Sequence, residues 1–429
     1  MKKIKTFIII SITSLLLLSF VNENEQKKLE KKLYKKAQRE YDNGNYKNAK
    51  KIYLQLLEID SSSFDYNYEL ALLCFYEMNK KIDAIHYFEA AARNMESDTL
   101  PDLFNYLGQA YYSAHRYAEA IKSYEKYSQY PAKEGFFKIS MKKYINRCKL
   151  AQKRIEEYEK NKKEYGIINL GPNINTEYPE YNAFEIFSDS VILFNTLRDF
   201  DIDFNEYIEH IYISNIKNGK FSIAKEIFGN PKYNKLIINE LWHESVISIN
   251  NDETEIIVHQ GTKLWHSNFN DGVWQKPLKF SKKINLNYSQ EHASISGDGN
   301  TIYFSSYDKK SKNLDIYMAT KQTNGKWGES VKLGNEINTD KNEDSPEISE
   351  DGNTLYFSSE GHNSKGGYDI FKSVLNNGKW SKAENIDSLN TSKNDMFYKY
   401  NKKLNVAFFS SDRDEGFGDM DIYMVKFKE

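Results

Sequence analysis

Residues 296–306 read SGDGNTIYFSS, and residues 349–359 repeat the pattern as SEDGNTLYFSS. In each copy, Asp-Gly-Asn supplies residues that tolerate a positive φ, so it predicts a tight turn of two residues between two strands. The Ile-Tyr-Phe and Leu-Tyr-Phe that follow are the β-branched and aromatic residues of a buried strand. Each stretch therefore predicts a β-hairpin.

The hairpin belongs to a longer repeat. Aromatic residues recur every 53 positions, at Phe221, Trp274, Trp327 and Trp380. Asp-Ile-aromatic triplets recur at 315–317, 369–371 and 421–423, and serine pairs at 305–306, 358–359 and 410–411. A fixed period near 50 residues with several short strands is typical of a β-propeller blade.

The strand-rich region divides into five blades, at about 176–234, 235–285, 286–338, 339–390 and 391–429. The first blade carries an insertion around 199–206, and the last offers only three strands. Because 166–175 resembles the end of a later blade, 332–338, we expect it to supply the outer strand of the last blade. That pairing closes the ring and removes the exposed sheet edges. A sixth blade would need two blades compressed into 176–234, whose length argues against it.

Before the strands, the apolar period is helical. Ala49, Ala84 and Ala120 are 35 to 36 residues apart, and Tyr53, Phe88 and Tyr124 follow four residues later. This pattern resembles the tetratricopeptide repeat, in which small residues let paired helices approach and aromatic residues fill the gap. We predict a helical domain over 30–164, with repeats at 30–63, 65–98 and 101–133. A polar helix at about 134–164, with an apolar stripe of Phe137, Met141, Tyr144 and Leu150, would cap the array. The propeller then occupies 166–429.

Residues 1–21 predict export. A basic start, Met1 to Lys5, precedes an apolar run from Phe7 to Val21, as in a secretory signal peptide. A retained membrane anchor is the alternative, although the run is short for a spanning helix. Cys74 and Cys148 are the only cysteines, and neither follows the apolar run, so a lipid anchor has no acceptor. We expect both to be buried thiols, with a single bridge as the alternative.

Few residues indicate catalysis, so we expect no enzyme, no cofactor and no metal. The formal net charge of −2 gives no reason to expect nucleic acid as a partner. There is no Gly-x-Ser-x-Gly motif, no phosphate-binding glycine loop, and the eight histidines are scattered. Asp298 and Asp351 suit a turn better than calcium, whose six or more oxygen ligands exceed what the loop offers. Residues that repeat with the blades are expected to be structural: Asp315, Asp369, Asp421 and the tryptophans, with ligand stacking as the alternative for the latter.

A glycosidase is the least favoured alternative. Ser-x-Asp-Gly-Asn-Thr resembles the Asp-box of sialidase-type propellers with one residue fewer, and five-bladed propellers host glycosidases whose carboxylates face one another. Glu291, Glu343 and Asp344 precede the inner strands and could point into the channel. Two adjacent blades share this acidic position, however, which favours a structural role.

The elements at 351–359 and 366–371 resemble the TolB-type, WD-like propeller repeat. Gly-Lys-Trp with the Leu-Gly-x-x-Ile-Asn ending, 325–338, is similar to the variant in envelope proteins of bacteria with type IX secretion and gliding machinery. Several such proteins place tetratricopeptide repeats first, and many continue into an OmpA-like domain that this sequence lacks. The resemblance implies a periplasmic, outer-membrane-associated scaffold whose partners are other envelope proteins, such as an outer-membrane barrel or periplasmic subunits.

Two surfaces remain for binding partners. The first helices of the repeats line a groove suited to a peptide or helix, with candidate residues Tyr41, Tyr66, Tyr76, Asn105 and Tyr112. The propeller loops 307–313, 360–367 and 412–419 form a rim with candidates Asp308, Lys309, Lys310, His362, Asp412 and Arg413. We therefore predict a non-enzymatic adaptor that joins envelope proteins. The alternative is a propeller module that binds or senses a glycan or peptide.

Overall fold

The computed structural model describes residues 23–77, 81–95, 100–130, 140–161, 166–186, 190–201, 206–228, 230–236, 243–250, 252–401 and 404–427. The predicted export signal, 1–21, lies outside these residues. The chain forms two compact units, Met1–Leu150 and Ala151–Glu429, here called the helical unit and the propeller unit. Their division falls inside the helix that the sequence predicts at the end of the helical domain.

The helical part has the predicted pairs of a tetratricopeptide array. Within the described residues its seven helices are α1 Glu23–Asp42, α2 Tyr46–Ile59, α3 Phe64–Leu72, α4 Lys81–Arg93, α5 Asp102–Ser113, α6 Tyr117–Gln129 and α7 Lys142–Asn161. A π-helical turn, Leu73–Glu77, continues α3. Helix α1 pairs with α2, α3 with α4, and α5 with α6. Cys74 and Cys148 are buried thiols, as predicted.

Close approach within a pair depends on a small residue. A Cβ on Gly108 in α5 would lie only 2.5 Å from Cε1 of Tyr124 in α6. Tyr124 is 2% exposed, and Ala120 is fully buried. The predicted role of small and aromatic residues is therefore confirmed in this pair.

Left-handed residues end the first helix of two pairs. Gly44 has φ 73° after α1, where the Asn45 amide donates to the Glu40 carbonyl at 2.8 Å. His115 occupies the same place after α5 with φ 56°, and the Arg116 amide donates to the Tyr111 carbonyl at 2.9 Å. Glycine adopts this conformation without a Cβ clash, whereas histidine is strained there.

Twenty-three strands form five sheets in the described residues, which confirms five blades. Blade 1 contains β2 Glu180–Ile186, β3 Val191–Asp201, β4 Glu206–Lys217, β5 Lys220–Phe221 and β6 Lys225–Glu226. Blade 2 contains β7 Glu244–Ile249, β8 Glu255–Gln260, β9 Lys263–Asn270, β10 Val273–Trp274 and β11 Leu278–Lys279. Blade 3 contains β12 Gln290–Ile295, β13 Thr301–Asp308, β14 Asn313–Thr320 and β15 Val331–Lys332. Blade 4 contains β16 Glu343–Ile348, β17 Thr354–Ser359, β18 Asp369–Asn376, β19 Lys379–Trp380 and β20 Glu384–Asn385, and blade 5 contains β21 Asp395–Asn401, β22 Val406–Ser411, β23 Asp421–Lys426 and β1 Gly166–Asn169.

The ring closes as predicted, by pairing β1 with β23 in antiparallel register. Asn175 extends the closure, because its side-chain amide donates to the Ile422 carbonyl and accepts from the Ile422 amide, both at 2.9 Å. The same two bonds join Asn338 to Ile316 and Asn390 to Ile370. In each Ile-Asn or Leu-Asn motif, the Asn side chain therefore bonds to the backbone of the third strand as a neighbouring strand would.

Five apolar clusters fill the spaces between neighbouring blades. Trp274 is 1% exposed between blades 1 and 2. Trp380 packs on Tyr303 of the preceding blade with ring centroids 5.9 Å apart. The predicted packing role of the repeated tryptophans is confirmed at these positions.

One prediction about turns is wrong. The β12–β13 connection is not a two-residue turn, since the Ser296 amide pairs with the Thr301 carbonyl at 2.8 Å and only Gly299 takes a positive φ. Asp298 stabilises this longer turn by accepting from Ser296 Oγ and the Asn300 amide, which lowers its pKa. The insertion that the sequence predicts around 199–206 lengthens the β3–β4 hairpin, since Asp199 pairs with Ile208.

Candidate interaction surfaces

The most exposed predicted groove residues are two tyrosines. Tyr76 is 53% exposed and Tyr41 is 40% exposed. Tyr76 contacts the Tyr106 ring at 5.6 Å, and Tyr41 contacts the Tyr46 ring at 5.7 Å. Each offers a rigid aromatic surface with a polar end, which is the property that enriches tyrosine in protein interfaces.

The other three groove candidates are half-buried and contact separate neighbours. Tyr66 packs on Tyr34 with centroids 5.8 Å apart. Asn105 accepts a hydrogen bond from Gln109 one turn later, at 3.2 Å. Tyr112 lies under the Arg147 guanidinium, 5.2 Å from its ring centroid. The five predicted residues are thus distributed along the array rather than gathered in one cluster.

Joints between repeats are built from tyrosine and glutamate, which the sequence did not reveal. Glu69 in α3 accepts from Tyr34 of α1 at 3.2 Å and from Tyr53 of α2 at 3.0 Å. Burial and the nearby carboxylate raise the pKa of Tyr34 to about 12, so it stays a donor. Glu89 in α4 plays the same part for Tyr111 of α5, at 2.8 Å. A tyrosine in one repeat and a glutamate in the adjoining repeat form the signal that could have found them.

A basic depression lies along the first turns of α7. It has a volume of about 540 Å³ and is lined by Ser140, Lys142, Lys143, Asn146, Arg147 and Leu150. Of the predicted apolar stripe, Leu150 is 46% exposed, whereas Met141 is 2% exposed. Phe137 lies outside the described residues. An exposed leucine among cationic side chains suits an amphipathic partner.

The predicted propeller rim contains three accessible candidates. The loops 307–313, 360–367 and 412–419 all join a second strand to a third strand, so they lie at the same end of their sheets. Lys309 and Lys310 are exposed. Asp308 is half-buried, accepts from the Lys310 amide at 2.8 Å and lies 3.4 Å from Lys332 Nζ.

The remaining three rim candidates form hydrogen bonds within the propeller. His362 donates from its ring to the Ile337 carbonyl at 2.7 Å, and Asp412 accepts from the Asn394 amide at 2.7 Å. Arg413 is 6% exposed and donates to Asp395 at 2.7 Å. The prediction that Arg413 contacts a partner is therefore wrong, because its guanidinium is buried and hydrogen-bonded inside the blade.

The carboxylates considered for a glycosidase have different surroundings. Glu343 is fully buried and accepts from the Thr339 amide, Thr339 Oγ and Ser359 Oγ at 2.6 to 2.7 Å. Glu180 receives the same bonds from Thr176, which supports the structural interpretation of this repeated position. Asp344 pairs with His292, and Glu291 accepts from Ser289 Oγ.

Two kinds of feature are absent from the described residues. No group of three or more His, Cys, Asp or Glu side chains among them could hold a metal ion. None of the helices in that part of the chain is both long and apolar enough to cross a membrane.

The chain has a tetratricopeptide region followed by a five-bladed propeller, and a comparison with protein families agrees with the first part. A family model described as tetratricopeptide repeat matches residues 75–134. No curated protein matches the sequence at a significant level.

Solved structures are similar to one part or the other. The Yersinia enterocolitica type III secretion chaperone SycD, solved with a peptide of the translocator YopD, is 20% identical over 32% of this chain and 99% of its own, with a TM-score of 0.24. A candidate TolB from Agrobacterium tumefaciens is 14% identical over 62% of this chain and 98% of its own, with a TM-score of 0.37. A glycoside hydrolase is 11% identical over 65% of this chain and 96% of its own, with a TM-score of 0.42. Likenesses at this level say nothing of ligand or activity.

Proposed function

We propose that the protein is a non-enzymatic, exported scaffold that joins two partners in the cell envelope. The helical unit binds one protein through its exposed aromatic side chains and the depression on α7. The propeller unit contacts a second protein through Asp308, Lys309 and Lys310. Helical arrays with a concave surface and propellers with variable loops are both common protein-binding architectures.

The observation that carries this proposal is the set of large apolar side chains that the helical unit exposes along its length. In the part of this unit that the structure describes, the large exposed apolar side chains are Leu29, Tyr41, Leu54, Tyr76 and Leu150, each 38% to 53% exposed. Burying such side chains against a partner removes apolar area from water, which favours association. Tyrosines are also among the residues that contribute most to binding energy.

The setting we propose is the periplasm, next to an outer-membrane secretion or motility assembly. The basic and apolar start of the sequence supports export, and the resemblance of the propeller repeats supports the type IX secretion setting. Fractionation of the host would test this. Recovery of the chain in the cytoplasm with residues 1–21 intact would refute it.

Affinity capture with the full chain tests the scaffold. The tagged protein would be expressed in its own host, and the detergent-solubilised envelope would be analysed for retained proteins. We expect Tyr41→Ala with Tyr76→Ala to lose one partner, and Lys309→Ala with Lys310→Ala to lose a different one. Tyr400→Ala, which changes an exposed tyrosine outside both surfaces, is the matched control.

Two results would contradict the scaffold. One is that the wild-type chain retains no envelope protein. The other is that both double variants retain the same partners in the same amounts as wild type, since the named surfaces would then have no role.

A further inference from the structure

The solvent-facing side of α1 carries charges of one sign. At about 100° of rotation per residue, six cationic residues fall within an arc of about 140° and extend along the helix for about 17 Å. They are Lys28, Lys31, Lys32, Lys35, Lys36 and Arg39, here called the basic stripe, and all six are exposed. No other residue between 28 and 39 lies in this arc, and Glu25 and Asp42 bound the stripe one turn beyond its two ends.

The opposite face of α1 holds the helix in the array. Ala37 is fully buried, and the Tyr34 ring packs on Tyr53 of α2 at 6.4 Å and on Tyr66 of α3 at 5.8 Å. Ala37 and Tyr34 both lie more than about 120° around the helix from the middle of the basic stripe. The contacts that hold α1 in place therefore do not use the stripe.

The basic stripe weakens the helix that carries it. Within the described residues, none of its six cations forms an ion pair or a side-chain hydrogen bond. Four pairs of them are four residues apart, as Lys32 and Lys36 are, and like charges at that spacing repel across one turn of helix. The first helix of an array needs a polar outer face, but charges of alternating sign would supply it without repulsion. The single sign therefore points to an anionic partner outside the chain.

The residue types in the basic stripe favour a lipid surface over a protein. Five of the six cations are lysine, a compact and strongly hydrated charge, whereas arginine is the cation that pairs with a carboxylate through two parallel hydrogen bonds. Protein interfaces are depleted of lysine and enriched in aromatic residues, and the arc of the stripe contains no aromatic side chain. A row of lysines on a convex helix suits the diffuse negative charge of lipid phosphates, because every nearby cation adds to the attraction.

The basic depression on α7 has a different composition. Exposed Leu150 lies among its cations, and Arg147 stacks over the ring of Tyr112. Apolar surface surrounded by charge suits an amphipathic protein partner. The helical unit therefore has one cationic surface with apolar content and another, on α1, whose arc is entirely cationic.

One apolar side chain lies at the edge of the basic stripe. Leu29 is 42% exposed and lies about 20° beyond Lys36 around the helix. Lysine stems can lie along an apolar neighbour while their ammonium groups reach phosphates, so Leu29 can enter the boundary between headgroups and acyl chains. Because Leu29 is a single side chain, the attraction to a bilayer is mainly electrostatic and should weaken steeply with salt.

We propose that the basic stripe of α1 lies on the surface of a bilayer that contains anionic phospholipids, with its lysines at the lipid phosphates. This surface is additional to the protein-binding surfaces proposed above and shares no residue with them. Tyr41 lies about 150° around α1 from the middle of the stripe, so a protein bound at Tyr41 and a bilayer would contact opposite sides of the helix.

Cosedimentation of the full chain with lipid vesicles tests the stripe. The chain is used in the form recovered from its own host, so any binding by residues 1–21 is common to wild type and variants. The probes are vesicles of phosphatidylglycerol mixed equally with phosphatidylcholine, and vesicles of phosphatidylcholine alone. We expect wild type to bind the anionic vesicles roughly tenfold more tightly or better at about 0.15 M salt, and to lose that preference at about 1 M salt, where charges are screened within about 3 Å.

A quadruple variant and a matched control locate the binding. The variant that combines Lys31→Gln, Lys32→Gln, Lys35→Gln and Lys36→Gln should bind the anionic vesicles roughly tenfold more weakly or worse, because it removes four of the six cations. Glutamine has nearly the helix propensity of lysine, so the helical circular dichroism should not change. The control changes four exposed lysines of the propeller unit and alters the net charge equally, and it should keep the affinity of wild type: Lys326→Gln, Lys341→Gln, Lys379→Gln and Lys382→Gln.

The outcomes separate this proposal from the scaffold. Equal affinity of wild type for the two kinds of vesicle would overturn the lipid surface, and so would an equal affinity of wild type and the α1 variant for the anionic vesicles. A loss in the control as large as in the α1 variant would show a general effect of charge and also overturn it. Retention of wild type by immobilised decaglutamate without binding to the anionic vesicles would assign an acidic protein instead. Affinity capture from the detergent-solubilised envelope uses no residue of the stripe, so its result stands apart from these.

Discussion

Neighbouring repeats are joined by different kinds of contact in the helical unit and in the propeller unit. In the helical unit, repeats meet through polar joints such as Glu69 with Tyr34 and Tyr53. In the propeller unit, an apolar cluster fills every space between blades, including the space between the last blade and the first. An open array depends on nearest neighbours, whereas a closed ring has no terminal repeat. We therefore expect local effects of mutation in the first unit and effects on the whole ring in the second.

The largest loss of stability should come from disrupting the apolar cluster between blades 5 and 1, where the ring closes. Phe408 is 2% exposed between blades 5 and 1. Phe408→Ala should lower the free energy of unfolding of the propeller by about 4 kcal/mol, because it removes a buried ring and leaves a cavity. All five tryptophans lie between residues 242 and 380, so their fluorescence in a denaturant titration reports the propeller.

The control for that change is Phe427→Ala, which alters a phenylalanine that is 41% exposed. It should change stability by less than about 0.5 kcal/mol. If Phe408→Ala shifted only a fraction of the fluorescence transition, the blades would unfold separately and the ring comparison would fail.

A second test uses pH and concerns the propeller alone. Burial lowers the pKa of His259 to about 4 when folded, below the ordinary 6.5. The unfolded chain therefore binds more protons between pH 6.5 and 4, and stability falls as pH falls through that window, by up to about 3 kcal/mol. His259→Gln should lose this component. Glu291, His292, Asp344 and His243 surround the ring and are present in both proteins.

Denaturant titrations at pH 7 and pH 4.5 would measure this loss of stability at low pH. His86→Gln, on an exposed face of α4, is the matched control and should keep the pH dependence of wild type. An identical pH dependence in His259→Gln and wild type would show that His259 does not contribute.

A smaller effect should follow from filling the close contact in the helical unit. Gly108→Val places methyl groups where the Tyr124 ring already lies within 2.5 Å of a Cβ. We expect a loss of roughly 2 kcal/mol, because the ring must move and the helices separate. The change should appear in the helical circular dichroism transition and leave tryptophan fluorescence unchanged. A matching shift in fluorescence would mean that the two units unfold together.

The smallest expected effect is a gain in stability. His115→Gly should stabilise the helical unit by about 0.5–1 kcal/mol, since glycine accepts the observed φ of 56° without strain. Its counterpart Gly44 serves as the control, because Gly44→His should cost a similar amount. No gain on His115→Gly would indicate that the His115 ring, stacked 5.7 Å from Tyr117, compensates for the strain.

Features that depend on repetition could be predicted from the sequence. The 53-residue interval predicted the blades. The match of 166–175 to the end of a later blade predicted the strand that closes the ring. Repetition also identified Asp421 as structural, since its carboxylate accepts from the Phe417 amide and Asn169. Each of these follows from one rule applied to several copies.

Features that occur once could not be predicted. The hydrogen bonds that join Tyr181 to Glu209 and His292 to Asp344 follow no common spacing. The π-helical turn at Leu73–Glu77 adds a residue to one repeat only. The sequence places Glu291 and Asp344 near the channel, but the carboxyl group of Glu209, from the prolonged β3–β4 hairpin, depends on long-range folding. The candidate protein-binding tyrosines stay predictions.

The closing strand also sets the order in which the propeller can be completed. Asn175 and Ile422, which bond to each other, are 247 residues apart in the chain. Strand β1 is synthesised before every other strand of the propeller, yet its partner β23 is the last of them. Until β23 arrives, β1 and the open sides of blades 1 and 5 remain unpaired, so the unfinished ring is exposed to aggregation and proteolysis. A chain carried across a membrane before folding would avoid that interval, because both partners would then be present when folding begins.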